Sequence, residues 1–300
     1  MGNLYEQIID NKIRSWFLII IFLIIVIGLG WLLGRLSGMG WGGLIIAFFI
    51  AFITGIFSYY YSDKIVLAVS GAKPVKKEDF PYLVHTVEGL AIAAGVPTPG
   101  IYFIKTQAPN AFATGRDPQH SSIAVTTGLL ERLNRKELEG VVAHEMSHIK
   151  NFDIRISTLA SILVGTVAIL SRFFLQNLIW GGGRRRGGGG GRDGGLGAIL
   201  IIVGIVLAIL TPFIAQLIHL ALSRQREFLA DASGAELTRY PEGLAGALLK
   251  ISADSHSVET ASEGTAHMYF ANPFGAEKRI FHLFSTHPPV KERIKRLREM

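Results

Sequence analysis

The chain has 300 residues, a formal net charge of +7 and no cysteine. Disulfides and thiolate metal ligands are excluded, so any zinc must be held by His, Asp or Glu. Hydrophobic residues make up 49% of the chain and mean hydropathy is +0.37, which points to membrane spans beside one globular domain and assigns the basic excess to cytoplasmic flanks rather than to nucleic-acid binding.

The first element is the uncharged run from Trp16 to Leu33, long enough to cross a bilayer. Lys12 and Arg14 precede it and no small-residue cleavage site follows, so it reads as an anchor rather than a cleaved signal. Trp41–Tyr61 is a second uncharged run, closed by the aromatic belt Tyr59, Tyr60 and Tyr61. The short link between them makes residues 1–65 an N-terminal transmembrane hairpin.

Residues 66–155 carry charge and prolines and read as the first part of a catalytic domain. Lys76–Ala94 predicts an amphipathic helix stopped at Gly95. Gly100–Lys105 predicts a strand. Asn110–Gly115 reads as a turn-rich segment, and Ser121–Thr127 as β-rich. Asn134 followed by Glu137 is a capping-box start, and Leu138, Val141, Val142 and Met146 repeat at helical spacing. These predict a helix from about Arg135 to Lys150.

That helix contains His144-Glu-Met-Ser-His148. Residues four apart share a helix face, so both imidazoles can meet one ion. Glu145, turned by about 100°, can act on a water there without being a ligand. Two His ligands with an adjacent carboxylate base is the arrangement of zinc hydrolases.

Residues 156–220 form a second hydrophobic hairpin, interrupted at Arg172 and by the Gly/Arg-rich linker 181–195. Leu196–Leu220 is long enough to cross. For 156–180, a buried or re-entrant helix is the alternative, because the apolar run is short. Residues 221–300 complete the catalytic domain.

A catalytic zinc needs one more protein ligand. His219, Glu227, Asp231, His256, Glu259, Glu263, His267, His282 and His287 are the downstream choices. Glu227 and Asp231 stand out at i, i+4. One can ligate while the other accepts the free ring N–H of a ligating His.

His144-Glu-x-x-His148, the hydrophobic hairpin, Ser223-Arg-Gln-Arg-Glu227-x-x-Ala-Asp231 and Ser285-Thr-His-Pro-Pro289 resemble, in this order, the HtpX-type membrane zinc metalloproteases, relatives of the CAAX prenyl endopeptidases. Asn110-Ala-Phe-Ala-Thr-Gly115, Val125–Leu130 and the paired N-terminal spans extend the resemblance over nearly the whole chain. It implies an α-helical membrane protein with an α+β zincin-like domain, in which the metal-motif helix sits beside a small sheet. It implies one zinc per chain, with Glu227 as third ligand and Asp231 behind a ligating His. It also implies Asn110 in the substrate groove, and His287 and Arg293 as donors to the substrate carbonyl or tetrahedral intermediate.

The reaction expected is peptide hydrolysis with Glu145 as general base. The run holding Ser121, Ile123 and Val125 is expected to act as a β-edge that pairs with extended substrate. Such pairing suits unfolded or misfolded membrane proteins and peptides. The resemblance adds a quality-control role at the cell membrane. Lys12, Arg14, Lys64, Lys73, Lys76, Lys77, Lys150, Arg155, Arg224 and Arg226 share the side of the metal motif, against Arg35, Arg184, Arg185, Arg186 and Arg192 on the other, and ten against five favours a cytoplasmic site. Prenyl-peptide processing is the rival substrate class, for which four hydrophobic segments are few. A zinc-stabilised scaffold is the rival without catalysis, and it has no use for Glu145.

Overall fold

The computed structural model describes residues 41–162, 224–262, 265–274 and 287–300, with single helical positions between 9 and 31. Most of the first predicted span, the far part of the second hairpin with its Gly/Arg linker, and Ser285-Thr286 lie outside the described residues. Helix α1 is Trp41–Tyr60, without an acidic first turn or basic last turn, and Trp41, Phe49, Phe52, Ile53 and Phe57 are exposed on it. Side chains are described at only part of its positions, and among the described residues no helix is long and apolar enough to cross a membrane.

Helix α2 (Ser62–Val69) leads to strand β1 (Lys73–Pro74) and helix α3 (Pro81–Ala94). Helix α3 starts five residues later than the sequence predicts. Pro81 occupies its first turn, where a missing N–H costs nothing, and it disfavours helical backbone at Phe80. The stop is as predicted: Gly95 is left-handed at φ 70°, a conformation cheap only without a Cβ.

Strands β2 (Gly100–Ile104), β3 (Ala111–Asp117) and β4 (His120–Thr126) join β1 in a mixed sheet of order β1-β2-β4-β3. Two expectations are corrected here. Asn110–Gly115 is not a turn: Ala111, Ala113 and Gly115 pair antiparallel with Val125, Ile123 and Ser121. Tertiary pairing overrides the local turn signal of Asn, Thr and Gly. The segment with Ser121, Ile123 and Val125 is not an edge, because β4 pairs β2 on one side and β3 on the other. Those three residues are buried and have no open backbone edge to offer a peptide. The edge strands are β1 and β3.

Short helix α4 (Thr127–Arg132) precedes α5 (Arg135–Lys150). The predicted capping box forms in both directions: Glu137 N–H donates to Asn134 Oδ1 at 3.0 Å and Asn134 N–H to Glu137 Oε2 at 2.8 Å. The face carrying Val141, Val142, Met146 and Ile149 is wholly buried. It packs against Leu83 and Val87 of α3, Ile123 and Val125 of β4, and Leu244 and Leu248 of helix α8 (Pro241–Ala253). Each such side chain stabilises the fold by roughly 1.5–3 kcal/mol. A smaller cluster with Phe112, Ala124 and Ile104 covers the other sheet face, as period-2 alternation requires.

A tight turn follows α5, and helix α6 begins at residue 153 and reaches the end of the described stretch at 162. Beyond the insertion, α7 (Arg224–Thr238) lies along α5. Gly234 permits the approach, since a Cβ there would sit 3.0 Å from the His144 backbone nitrogen. A 3-10 turn (Ala266–Met268) and helix α9 (Val290–Arg298) close the domain.

Candidate metal centre

Helix α5 supplies His144, Glu145 and His148, and α7 supplies Glu227, one turn inside its start. The Nε2 atoms of His144 and His148 are 3.1 Å apart. Glu227 Oε1 is 3.5 Å from the His148 Nε2, and Oε2 is 3.8 Å from the His144 Nε2. One ligand atom from each residue lies within 4.8 Å of the other two. Two imidazole nitrogens and one carboxylate is a donor set for zinc. The Glu227 Oε2 is buried without a hydrogen-bond partner, as an oxygen reserved for a cation would be. Among the other downstream choices, His256 pairs with Asp254 outside this cluster, and His219, Glu263 and His282 fall outside the described residues.

Each histidine donates its other ring nitrogen to a carboxylate. His144 Nδ1 is 3.0 Å from Asp231 Oδ1, and His148 Nδ1 is 3.0 Å from Asp153 Oδ2. These bonds orient both rings so that their Nε2 atoms face each other and the Glu227 carboxylate. Asp153 carried no signal in the spacing. It is brought back by the turn at Asn151 and Phe152, where Phe152 takes a left-handed φ of 60°.

Burial and charge divide the protons unequally. Burial pulls His144 down to about 4, against the Asp231 hydrogen bond. Burial would also lower His148, but the Asp153 bond and the Glu227 charge outweigh it and hold His148 up at about 9. Burial, with Glu227 nearby, raises Glu145 to about 7, although His148 and the Ala113 backbone N–H oppose it. Burial opposes ionisation of Glu227, yet His287, His148, His144 and Arg293 bring it down to about 2.

Arg293, expected as a substrate donor, lies buried behind Asp231, with its Nη1 3.8 Å from Glu227 Oε2. It is 1% exposed. Its Nε and Nη2 donate to Asp231 Oδ2 and Oδ1 at 2.8 and 2.7 Å. The guanidinium lies 4.9 Å from the Phe270 ring centroid and does not line the cleft. Its Nη2 is 3.5 Å from His144 Nδ1, the separation of two donors that share Asp231 Oδ1. His287 does line the cleft, with Nε2 3.6 Å from Glu227 Oε2.

Asn110 is also corrected. Its Nδ2 donates to the Ala271 carbonyl at 2.8 Å, and its Oδ1 accepts from the Ala271 and Ala111 N–H groups, each at 3.1 Å. This amide clamps β3 to the segment that carries Phe270 instead of meeting substrate. The cleft wall also includes Ala113, Arg226, His267 and Phe270, which spacing alone did not single out as wall residues. His267 Nε2 donates to the Ser157 carbonyl at 3.0 Å, and burial lowers its pKa to about 4.

The sequence profile of Peptidase family M48 matches residues 77–300. A protease HtpX homolog of Dictyoglomus turgidum is 47% identical over 99% of this chain and 94% of its own. Homologs of the same name from Caldanaerobacter subterraneus subsp. tengcongensis and Tropheryma whipplei are 46% and 42% identical, each over 99% of this chain and 98% of their own. The crystal structure of S. mikatae Ste24p superposes with a TM-score of 0.47 at 18% identity, covering 97% of this chain and 66% of that one.

Proposed function

The chain belongs to peptidase family M48, and on that premise we propose that it is a membrane-anchored zinc endopeptidase acting on unfolded or misfolded membrane proteins and peptides. The observation that carries the proposal is Glu145 buried beside the three convergent donors His144, His148 and Glu227. A site that held metal only for stability would have no use for a carboxyl poised near neutrality.

His144, His148 and Glu227 would hold the zinc. When bound, zinc supplies Lewis acidity for amide hydrolysis. Glu145 accepts a proton from the attacking water and passes it to the leaving nitrogen. His287 Nε2 can donate to the oxygen that gains charge. Ala113, on the outer edge of β3, lines the cleft beside Glu145, so an extended substrate would lie along this strand. Backbone pairing reads no side chain, which supports a broad substrate range and, with it, a quality-control role.

The uncharged helix α1, its exposed aromatic face and the hydrophobic run 196–220 support anchoring in the cell membrane, and the ten-to-five excess of Lys and Arg on the side of the metal motif supports a cytoplasmic site. Two experiments test this reading. Purified full-length protein should cleave an unfolded substrate such as casein, lose that activity with a chelator and regain it with zinc. Persistence of cleavage in excess chelator would contradict the metal. The lack of cysteine permits single-cysteine labelling of intact cells with an impermeant reagent. Gly188→Cys should label and the exposed Glu78→Cys should not. Labelling of Glu78→Cys would put the site outside the cytoplasm.

A further inference from the structure

We propose that Asp153, held by Arg226, positions His148 in the metal centre and so joins the segments on either side of the 156–220 hairpin at one metal ligand. The inference rests on the metal reading of the site.

The two candidate ligand histidines have parallel supports. Behind His144 stand Asp231 and then Arg293, at 3.0 and 2.7 Å. Behind His148 stand Asp153 and then Arg226, at 3.0 and 3.5 Å. In both, an imidazole N–H donates to a carboxylate that a guanidinium holds in turn. In the second, one oxygen serves each partner: Oδ2 takes His148 and Oδ1 takes Arg226. The carboxylate is 6% exposed and the guanidinium 13%. An aspartate so enclosed has few alternative rotamers, so the imidazole inherits its orientation.

Local backbone geometry supports a dedicated role. Helix α5 stops at Lys150, and Asp153 could not face His148 had α5 continued, since residues five apart do not share a helix face. The chain instead turns at Phe152, a bulky residue at φ 60°. That conformation is uncommon for an aromatic side chain and is strained. Its consequence is to return Asp153 to the His148 ring.

The supports differ in what they connect. Asp231 and Arg293 both lie in the C-terminal part of the domain. Asp153 precedes the 156–220 hairpin, and Arg226 follows it, next to Glu227. The ion pair therefore closes the base of the insertion beside two of the three ligands.

The test uses the full chain in detergent, with zinc affinity measured by chelator competition and the melting temperature of the chelated protein measured alongside. Asp153→Ala should weaken zinc binding about 10–100-fold. Asp153→Asn, which keeps an oxygen for the His148 N–H, should lose less than about tenfold. Arg226→Gln should weaken binding, and the Asp153→Ala/Arg226→Gln double variant should be no weaker than Asp153→Ala alone, since the two act as one unit. A lower melting temperature with unchanged zinc affinity in Asp153→Ala would make the residue structural and overturn the proposal. Additive losses in the double variant would overturn the coupling to Arg226. A wild-type chain that binds no zinc would overturn the metal reading itself, and this inference with it.

Discussion

Asp231 Oδ1 lies 3.0 Å from His144 Nδ1 and accepts from Arg293 Nη2 at 2.7 Å, so one buried oxygen orients the first ligand of the metal centre and neutralises a cation beneath it. Asp231 and Arg293 are 2% and 1% exposed. Neither reaches the cleft, yet both determine what the cleft can bind.

Arg293 and His287, similar in the sequence, should therefore behave differently when removed. Arg293→Ala leaves the Asp231 carboxylate buried without its cation, a loss of about 3–5 kcal/mol, so melting temperature and zinc affinity should both fall. His287→Ala removes only a cleft donor, so zinc should stay bound while turnover drops about 10²–10³-fold. Zinc loss in His287→Ala would make it a ligand. A stable, zinc-replete Arg293→Ala with impaired turnover would return Arg293 to the reacting groups.

Gly234→Val should separate α7 from α5. A Cβ at 234 meets the His144 backbone at 3.0 and 3.2 Å, and backbone cannot rotate away. Overpacking of this kind costs typically 1–3 kcal/mol. The displacement carries Glu227 and Asp231 off the histidines, so zinc affinity should fall at least about tenfold. Wild-type affinity in Gly234→Val would mean that α7 does not set the ligand geometry.

Acid should weaken the chelated protein in a defined window. The folded pKa of Glu227 is depressed from 4.5 to about 2, and that of Asp231 is depressed below 3.8. A depressed carboxylate contributes stability that is complete above its unfolded pKa and lost as pH falls through the folded one. Melting temperature should therefore drop from about pH 4.5 downward. Asp231→Asn should melt lower at pH 5 and show a shallower decline between pH 4.5 and 3. A decline as steep as that of the wild type would remove Asp231 from the account.

The residues that hold the metal were legible because their constraint is local. His144, Glu145 and His148 lie on one helix whose start, at Asn134 and Glu137, and whose apolar stripe are written in adjacent residues. Glu227 and Asp231 stand out at i, i+4 among several downstream candidates, and the family resemblance, not spacing, selects Glu227 as the ligand. The parts that sequence reading misplaced depend on pairing between distant segments. Ala111–Asp117 has turn-like composition and becomes a strand only because β4 pairs with it. The interior place of β4 follows from sheet order, which no single segment encodes. Asn110 meets Ala271, 161 positions away. Asp153 reaches His148 through a left-handed phenylalanine that periodicity cannot anticipate.

The central claim is that Glu145 performs the proton transfer at a metal held by other residues. The most direct test is zinc content and cleavage rate measured together on Glu145→Gln. The substitution keeps size and hydrogen-bonding capacity, and leaves His144, His148 and Glu227 untouched. The account predicts about one zinc per chain and no detectable cleavage. A zinc-replete Glu145→Gln protein that cleaves at the wild-type rate would contradict it.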